Sequence, residues 1–376
     1  MASRPPSPRE SKISRTSLLL KGGFGVAGFM LLFAAHQDLL FAGPWYSNHT
    51  QQLNITHPPS AFMDAPTEPI LPNLLLAGVQ KAGTTAVDSY MREHDLVCSA
   101  QEKRDLNDSS RYTSSKEVHY FDITEHFKKG VNFYRSLYSH CNFTSNHKYL
   151  IDSTPNYQLH PKRIFNFYKL HDPKGLQNLK IIFTVREPVA REMSWFNHWS
   201  NSNRYRAAFP KNYQPKFIKD YYPIMKSQQK NETLKSFYHR WFKEWFRLFD
   251  RQNILILSYD EIKNSPQSAM QRVHQFLDIP LPASQLLEGN NTFDMDQSTS
   301  NASAPTIKAS GVIANRGETD YPSCAQQESI STWFKNDTQS FYELLREYPG
   351  PPMEQSPFPK FRFECYNAPA KFATVT

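Results

Sequence analysis

Short, uninterrupted apolar runs alternate with longer amphipathic segments along much of this chain. The runs occupy residues 74–79, 149–151, 181–185 and 254–257, and each is suited to a strand buried on both faces. Helical spacing marks residues 85–94, 161–170, 237–249 and 268–277. Strands that alternate with helices predict an α/β fold, in which helices flank a central parallel sheet. Ligands of such sheets bind beyond the carboxyl ends of the strands, so the residues after each run are candidate site residues.

The N-terminal 42 residues predict a membrane anchor. An apolar stretch over residues 22–35 resumes at 39–42 and is preceded by five basic residues: Arg4, Arg9, Lys12, Arg15 and Lys21. Basic residues before the first apolar segment keep that end in the cytosol, which places the remainder in the lumen. We expect a cytosolic tail over residues 1–17 and a signal anchor over 18–42, with a cleaved signal peptide as the alternative.

The rest of the chain has the sequence features of a lumenal glycoprotein. Eight Asn-x-Ser/Thr sequons all follow the apolar stretch, at Asn48, Asn54, Asn107, Asn142, Asn231, Asn290, Asn301 and Asn336. Such a density indicates N-glycosylation. Four cysteines lie on the same side of the apolar stretch: Cys98, Cys141, Cys324 and Cys365. They form no Cys-x-x-Cys pattern, which favours one or two structural disulfides, and the sequence leaves three pairings open.

Composition divides the predicted lumenal part of the chain into a stem, one domain and a C-terminal tail. Residues 43–71 are rich in Pro, His, Asn and Thr without periodicity, which is typical of a stem. We expect one domain over residues 72–366 and a C-terminal tail over 367–376, because there is no internal repeat and no second core. The absence of a metal-ligand cluster from the sequence predicts chemistry without a metal.

The positive charge is concentrated in two places. Of the formal net charge of +8, residues 1–21 carry +4, and residues 204–247 hold eleven Lys or Arg against three acids. Trp, Tyr and Phe interleave with these cations over residues 195–247. Such a surface would bind a polyanionic polysaccharide; alternatively, the aromatic residues are core and the lysines form a solvated rim. The same composition suits single-stranded nucleic acid, but the lumenal topology argues against that partner.

A phosphate-binding turn follows the first apolar run. Residues 78–85 read Gly-Val-Gln-Lys-Ala-Gly-Thr-Thr and lead into a helical segment, a geometry that presents backbone N–H groups to a phosphate. Lys81 adds a positive charge, and Thr84 and Thr85 add hydroxyl donors. Because Lys81 precedes Gly83, the turn is not the nucleoside-triphosphate loop, in which the lysine follows the last glycine.

Further polar residues follow the other runs. Arg186 and Ser194 come after the third run, and a guanidinium suits a phosphate dianion. Residues 116–122 read Lys-Glu-Val-His-Tyr-Phe-Asp, and residues 151–157 read Ile-Asp-Ser-Thr-Pro-Asn-Tyr. Residues 315–322, Asn-Arg-Gly-Glu-Thr-Asp-Tyr-Pro, form a late polar loop. These motifs also have alternatives without a role in binding or catalysis. Residues 78–85 could form an ordinary strand-to-helix turn, Arg186 could belong to a surface Arg-Glu pair, and residues 116–122 could form an edge strand.

Together these motifs resemble the Golgi carbohydrate sulfotransferases, in particular the heparan sulfate 3-O- and N-sulfotransferase group. The order Lys-x-Gly-Thr-Thr is similar to the 5′-phosphosulfate loop of that family, and residues 116–122 are similar to its Lys-Glu-x-His-Phe-Phe-Asp segment. The late loop resembles a Lys-Gly-Arg-Thr-His-Pro loop, but Glu318 replaces a basic residue and the cysteine expected upstream is missing. The resemblance is good over residues 71–280 and weak beyond them.

The resemblance implies a role for each residue. It implies that 3′-phosphoadenosine 5′-phosphosulfate is bound by the turn, by the third-run residues and by the late loop: Lys81, Ala82, Gly83, Thr84, Thr85, Arg186, Ser194, Arg316, Gly317 and Thr319. Glu117 is the implied general base, Lys81 stabilises the leaving phosphate, and His119 is a partner of the base or an alternative to it. Lys116, Thr154, Asn156 and Tyr157 are the implied acceptor contacts, although the last three could equally be turn residues that shape the cleft.

The sequence therefore predicts a single P-loop-like sulfotransferase domain on a type II membrane anchor in the Golgi, with its catalytic domain in the lumen. The expected acceptor is a glycosaminoglycan or similar acidic polysaccharide. A GalNAc-sulfate-directed enzyme, a protein-tyrosine sulfotransferase and a catalytically inactive glycan-binding relative are the alternatives.

Overall fold

The computed structural model describes residues 71–101, 116–141, 147–202, 209–210, 213, 215–281 and 321–366. The predicted cytosolic tail, signal anchor, C-terminal tail and all of the stem except residue 71 lie outside the described residues. So do Arg316, Gly317 and Thr319 of the late loop. Among the helices in the described ranges, none has the length and apolar character needed to cross a bilayer.

A five-stranded parallel sheet forms the centre of the domain. Its strands are β1 Leu74–Gly78, β2 Val97–Ser99, β3 Tyr149–Asp152, β4 Lys180–Val185 and β5 Ile254–Ser258. They lie in the order β2-β3-β1-β4-β5, and each neighbouring pair is parallel. The α/β fold with a central parallel sheet is thereby confirmed. The apolar pattern did not reveal β2, a short edge strand whose last residue, Ser99, is polar.

Helices connect the strands and cover both faces of the sheet. In chain order they are α1 Thr84–Arg92, α2 Thr124–Phe127, α3 Gly130–Ser136, α4 Pro161–His171, α5 Pro173–Asn178, α6 Pro188–Asn201, α7 Tyr222–Lys230, α8 Tyr238–Leu248, α9 Tyr259–Asn264, α10 Pro266–Leu277, α11 Cys324–Ser331 and α12 Lys335–Glu347. A one-turn π-helix over Phe217–Tyr221 precedes α7, and a 3-10 helix over Pro155–Leu159 follows β3. The four predicted helical segments correspond to α1, α4, α8 and α10.

Alternate residues of each central strand enter opposite cores, as the two-residue period of a strand requires. Leu75 and Phe183 point to one face, where α3, α4, α8 and α12 cover the sheet. Leu76 and Ile182 point to the other, which α1 and α10 cover. All four side chains have no exposed surface. Burial on both faces explains why the strands read as unbroken apolar runs.

Most aromatic residues between 195 and 247 belong to the core rather than to a ligand surface. Phe196, Trp199, Phe217 and Tyr221 are buried in a separate cluster beneath α6 and α7. Among the cations that the structure describes in this segment, most are exposed, such as Lys226, and Lys235 is half-buried. Of the two interpretations that the sequence left open, rings in the core with lysines in solvent therefore describes most of these residues, because amphipathic segments turn their rings inward.

The structure shows which cysteines pair, a question that the sequence left open. Cys98 pairs with Cys141, and Cys324 pairs with Cys365. The first ties edge strand β2 to the residues after α3, and the second ties the C-terminal segment to α11. Two sequons lie in the described residues, and both Asn231 and Asn336 are exposed, as a glycan acceptor must be.

Candidate active site

The turn after β1 is compact and adopts left-handed backbone at two positions. The Val79 N–H donates to Thr184 O at 2.8 Å, and the Ala82 N–H donates back to Val79 O at 3.2 Å. Lys81 has φ 71° and Gly83 has φ 90°. A Cβ on Gly83 would lie 3.2 Å from the Tyr259 ring, so glycine suits this position for its backbone and for the lack of space. The turn thus carries the half-buried Lys81 side chain to the carboxyl edge of the sheet.

Arg186 reaches the same turn from the neighbouring strand. It follows β4 directly, and its Nη1 donates to Lys81 O at 3.3 Å while its guanidinium lies 4.3 Å from the centre of the Tyr259 ring. The Tyr238 hydroxyl donates to Arg186 O at 2.7 Å. Ser194 lies half-buried on α6, two turns beyond the start of that helix. The predicted residues Lys81 and Arg186 therefore converge at the ends of β1 and β4.

A buried network supports the turn from behind. Arg191 on α6 donates from Nε to Gln80 O at 3.0 Å and forms an ion pair with Glu192. Ser236 Oγ and the Tyr221 hydroxyl donate to the same Glu192 carboxylate, at 2.8 and 3.0 Å. Arg191 and Glu192 are each 1% exposed. Because a buried ion pair needs such additional hydrogen bonds, this network is complete only when α6 and the turn are in place.

Glu117, His119 and Asp122 form a coupled triplet on the segment before α2. His119 Nε2 lies 3.3 Å from Glu117 Oε2, and His119 Nδ1 lies 2.8 Å from Asp122 Oδ2. Lys116 Nζ donates to Glu117 Oε1 at 2.6 Å. The imidazole is therefore held between two carboxylates, with an ammonium on the far side of one of them.

The charges in this triplet follow from those contacts. Burial would raise the pKa of Glu117, but the hydrogen bonds from His119 and Lys116 outweigh it and hold that pKa at about 2. Burial would lower the pKa of His119, but its bonds to Asp122 and Glu117 raise that pKa to about 10. Near neutral pH the group is thus a carboxylate, an imidazolium and a second carboxylate.

Hydrogen bonds continue from the triplet to the turn after β1. Asn156 Nδ2 donates to Asp122 Oδ2 at 2.9 Å, and Lys235 Nζ donates to Asn156 Oδ1 at 2.9 Å. Lys235 Nζ also donates to Gln80 Oε1 at 2.8 Å and lies 4.9 Å from the centre of the Trp195 ring. Sequence reasoning counted Lys235 only as part of a basic cluster. No motif distinguishes it from the surrounding lysines; its place in the fold does.

His198 on α6 lies within electrostatic range of both ends of this network. Desolvation lowers the pKa of His198, the positive charges of Lys81 and Lys235 lower it further, and the charge of Glu117 acts in the opposite direction. Its ring centre lies 5.3 Å from that of Trp195. Lys81, Glu117 and Lys235 therefore all lie within electrostatic reach of one imidazole, which was not among the residues predicted from the sequence.

The predicted acceptor contacts separate into two groups. Lys116 and Asn156 are half-buried and reach the triplet. Thr154 and Tyr157 have no exposed surface, and their hydroxyls donate to Asp152 at 2.6 and 2.8 Å. Of the two interpretations left open by the sequence, the geometry favours a structural role for Thr154 and Tyr157, because a buried hydroxyl that is already bonded cannot meet a sugar.

The chain is similar in sequence to known sulfotransferases. The family model for the sulfotransferase domain matches residues 71–336. The chain is 24% identical over 225 residues to heparan sulfate glucosamine 3-O-sulfotransferase 5 of Mus musculus, an alignment that covers 57% of this chain and 56% of the relative. It is 26% identical over 216 residues to bifunctional heparan sulfate N-deacetylase/N-sulfotransferase 4 of Mus musculus, covering 56% of this chain and 22% of the relative.

Among solved structures, a sulfotransferase from Alicyclobacillus acidocaldarius aligns with a TM-score of 0.49 at 15% identity, covering 74% of this chain and 96% of that one. The chain spans about half the length of the first curated relative and about a fifth of the second. The family model, by contrast, matches well over half of the chain, and its match contains β1 through β5 together with the turn that carries Lys81. By that match, this protein belongs to the sulfotransferase family.

Proposed function

We propose that this chain transfers a sulfuryl group from 3′-phosphoadenosine 5′-phosphosulfate to a hydroxyl or amino group of a glycosaminoglycan or other acidic polysaccharide. One observation carries the proposal: a continuous line of hydrogen bonds runs from Glu117 through His119, Asp122, Asn156 and Lys235 to Gln80, the neighbour of Lys81. A transfer enzyme needs a base and a cation on opposite sides of the transferred group, and this line joins the segment that carries Glu117 to the turn that carries Lys81.

The turn and its surroundings fit the donor. A left-handed turn before a helix presents backbone N–H groups and a positive helix end, which is suited to the 5′-phosphosulfate, with Lys81 beside it. Ala82, Gly83, Thr84 and Thr85 complete that part of the proposed site. Arg186, which contacts the same turn, and Ser194 would hold the 3′-phosphate. Arg316, Gly317 and Thr319 are proposed to close over the nucleotide.

The protonation states favour Glu117 over His119 as the base. His119, with its pKa raised to about 10, holds both its protons near neutral pH and has no free nitrogen to accept another. Glu117, with its pKa lowered to about 2, is ionised. A carboxylate of such low pKa is a weak base, so we expect it to take the proton late, once the acceptor oxygen has begun to bond to sulfur and has become acidic.

The remaining residues balance charge and position the acceptor. As the new oxygen–sulfur bond forms and the bond from sulfur to the 5′-phosphate oxygen breaks, negative charge grows on that phosphate, and the Lys81 ammonium offsets it. In-line transfer of this kind depends on positioning and electrostatics, which these side chains supply without a metal. Lys116, Asn156, Lys235 and Trp195 would orient an acidic sugar at the cleft.

The proposed setting is the Golgi lumen, with the domain tethered by the predicted N-terminal anchor. The two disulfides and the exposed sequons at Asn231 and Asn336 support an oxidising, glycosylating compartment. A polysaccharide acceptor, rather than nucleic acid, fits that compartment.

The test is incubation of the full chain, in detergent, with donor labelled in its sulfuryl group and a panel of desulfated heparan sulfate, desulfated chondroitin and a tyrosine-containing acidic peptide. Label on heparan sulfate or on chondroitin supports the proposal and identifies which polysaccharide is the acceptor. Label on the peptide would keep the reaction but show that the acceptor is a protein. Glycan binding without transfer to any acceptor would overturn the proposal in favour of an inactive, glycan-binding relative.

A further inference from the structure

The backbone that carries His119 has an unusual conformation. His119 is not a glycine, yet its φ is 55°, in the left-handed region that side chains rarely adopt. Its side chain must nevertheless reach Glu117 on one side and Asp122 on the other. Such a conformation persists only where the surrounding structure holds it, and it recurs at functional sites.

Both peptide units that flank His119 are fixed at both of their polar ends. His126 Nδ1 lies 3.2 Å from Val118 O and 3.1 Å from His119 O, so the carbonyls are held from α2. The corresponding amides are held from the turn after β3: the His119 N–H donates to Thr154 Oγ1 at 3.2 Å, and the Tyr120 N–H donates to the Tyr157 hydroxyl at 2.9 Å. With both planes oriented, the torsions of His119 have no freedom left.

A single carboxylate orients both of those hydroxyls. Thr154 Oγ1 donates to Asp152 Oδ1 at 2.6 Å, and the Tyr157 hydroxyl donates to Asp152 Oδ2 at 2.8 Å. Because each hydroxyl gives its one proton to Asp152, its lone pairs are left to accept the amides of His119 and Tyr120. Asp152 ends strand β3 and is completely buried, so it cannot itself touch a substrate.

We propose that Asp152 is a positioning residue, which acts through Thr154 and Tyr157 to hold the left-handed backbone of His119 and thereby the geometry of Glu117. The inference rests on the proposed function, in which Glu117 accepts the acceptor proton. It gives Asp152, a buried residue at the end of β3, a role in catalysis although Asp152 does not contact the substrate. It also explains why the turn after β3 carries a threonine and a tyrosine whose side chains are hidden from the cleft.

The structure offers a matched control for this role. The Tyr134 hydroxyl donates to the same Asp152 Oδ2 at 2.7 Å, and Tyr134, like Tyr157, has no exposed surface. Tyr157 accepts an amide of the His119 segment, whereas the described contacts of the Tyr134 hydroxyl include no such amide. Tyr157→Phe and Tyr134→Phe therefore remove the same atom, from equally buried rings bound to the same carboxylate oxygen.

The experiment measures kcat, the KM for donor and the urea midpoint for both variants of the full chain. We expect Tyr157→Phe to lower kcat by about 10- to 100-fold with KM for donor within about twofold, because a small misplacement of a catalytic group has effects of that size. Tyr134→Phe should keep kcat within about twofold, while both variants lose urea stability. Thr154→Val should behave like Tyr157→Phe, and Thr154→Ser should restore most of the lost turnover. Equal kcat values for the two phenylalanine variants, with an active wild type, would overturn the inference.

A second measurement does not depend on turnover. In protein labelled with ¹⁵N-histidine, and with the His119 signal assigned by its loss in His119→Gln, the His119 imidazolium should titrate well above its ordinary range in wild type and in Tyr134→Phe. In Tyr157→Phe it should titrate closer to that ordinary range, because the ring no longer sits between Glu117 and Asp122. An unchanged His119 titration in Tyr157→Phe would contradict the inference even if wild type transferred no sulfuryl group, and that lack of transfer would separately reject the proposed function.

Discussion

Lys235 Nζ donates a hydrogen bond of 2.8 Å to the side chain of Gln80, across 155 residues of sequence. The same ammonium donates to Asn156, so it links the turn after β1 to the triplet that contains Glu117. Its position between the two halves of the proposed reaction makes it the first residue to test.

Lys235→Met keeps the aliphatic stem and removes the ammonium. We expect kcat/KM for sulfuryl transfer to fall by about 10- to 100-fold, since a hydrogen bond to a charged group contributes ~1.5–3 kcal/mol. Lys243→Met on α8 is the control, because that lysine is exposed. Equal effects of the two substitutions in steady-state kinetics would show that Lys235 acts only through the net charge of the protein.

Glu117→Gln removes the proposed base and keeps the size of the side chain. We expect kcat to fall by about 10²- to 10⁴-fold, the usual contribution of a positioned base. Binding of 3′-phosphoadenosine 5′-phosphate, measured by calorimetry, should be retained. Glu125→Gln on the exposed surface of α2 should leave both quantities unchanged. A normal rate in Glu117→Gln would remove this residue from the mechanism.

Lys81→Ala should weaken donor use and turnover together. The ammonium is proposed to stabilise the phosphosulfate when it binds and the phosphate when it leaves, so we expect both a higher KM for donor and a kcat lower by about 10²-fold or more. Lys226→Ala, an exposed lysine of α7, is the control for charge. Kinetics of Lys81→Ala that match wild type would contradict the assigned role.

The buried Arg191–Glu192 pair should be costly to break. Glu192→Gln leaves a buried guanidinium without its counter-charge, which costs ~3–5 kcal/mol in the free energy of unfolding. Glu244→Gln breaks ion pairs with Arg247 and Lys162, whose side chains are 60% and 71% exposed, and should change the stability far less, because solvent screens exposed charges. Urea unfolding of both variants measures the difference, and similar costs would mean that the buried network does not support the turn.

The contribution of His119 to the stability of the protein should fall as the pH becomes alkaline. The pKa of His119 is raised to about 10 in the folded state from an ordinary 6.5, so the stability that its imidazolium confers is fully present below pH 6.5. That stability is lost as the pH rises from 6.5 through about 10. The difference in urea midpoint between wild type and His119→Gln should therefore be largest near pH 6 and shrink towards pH 10. A difference that stays constant over this range would show that folding does not raise the pKa of His119.

The sequence alone was enough to predict four of the five strands and the parallel direction of the sheet. Strands buried on both faces must be continuously apolar, so β1, β3, β4 and β5 were visible as runs, and Lys81 and Arg186 were assigned to one site because they follow two of those runs. The segment from Lys116 to Asp122 was also recognisable, since its residues are local in sequence.

Tertiary structure alone decided which polar groups meet. Lys235 and His198 carry no motif, and Asp152 lies in the motif over residues 151–157 without a role that the sequence assigned. They join the site only because α6, the segment before α8 and the end of β3 pack around one turn. Burial also decided that Thr154 and Tyr157 face Asp152 rather than solvent. The physical reason is that local periodicity determines secondary structure, whereas hydrogen bonds between residues tens to more than a hundred positions apart depend on how the elements pack.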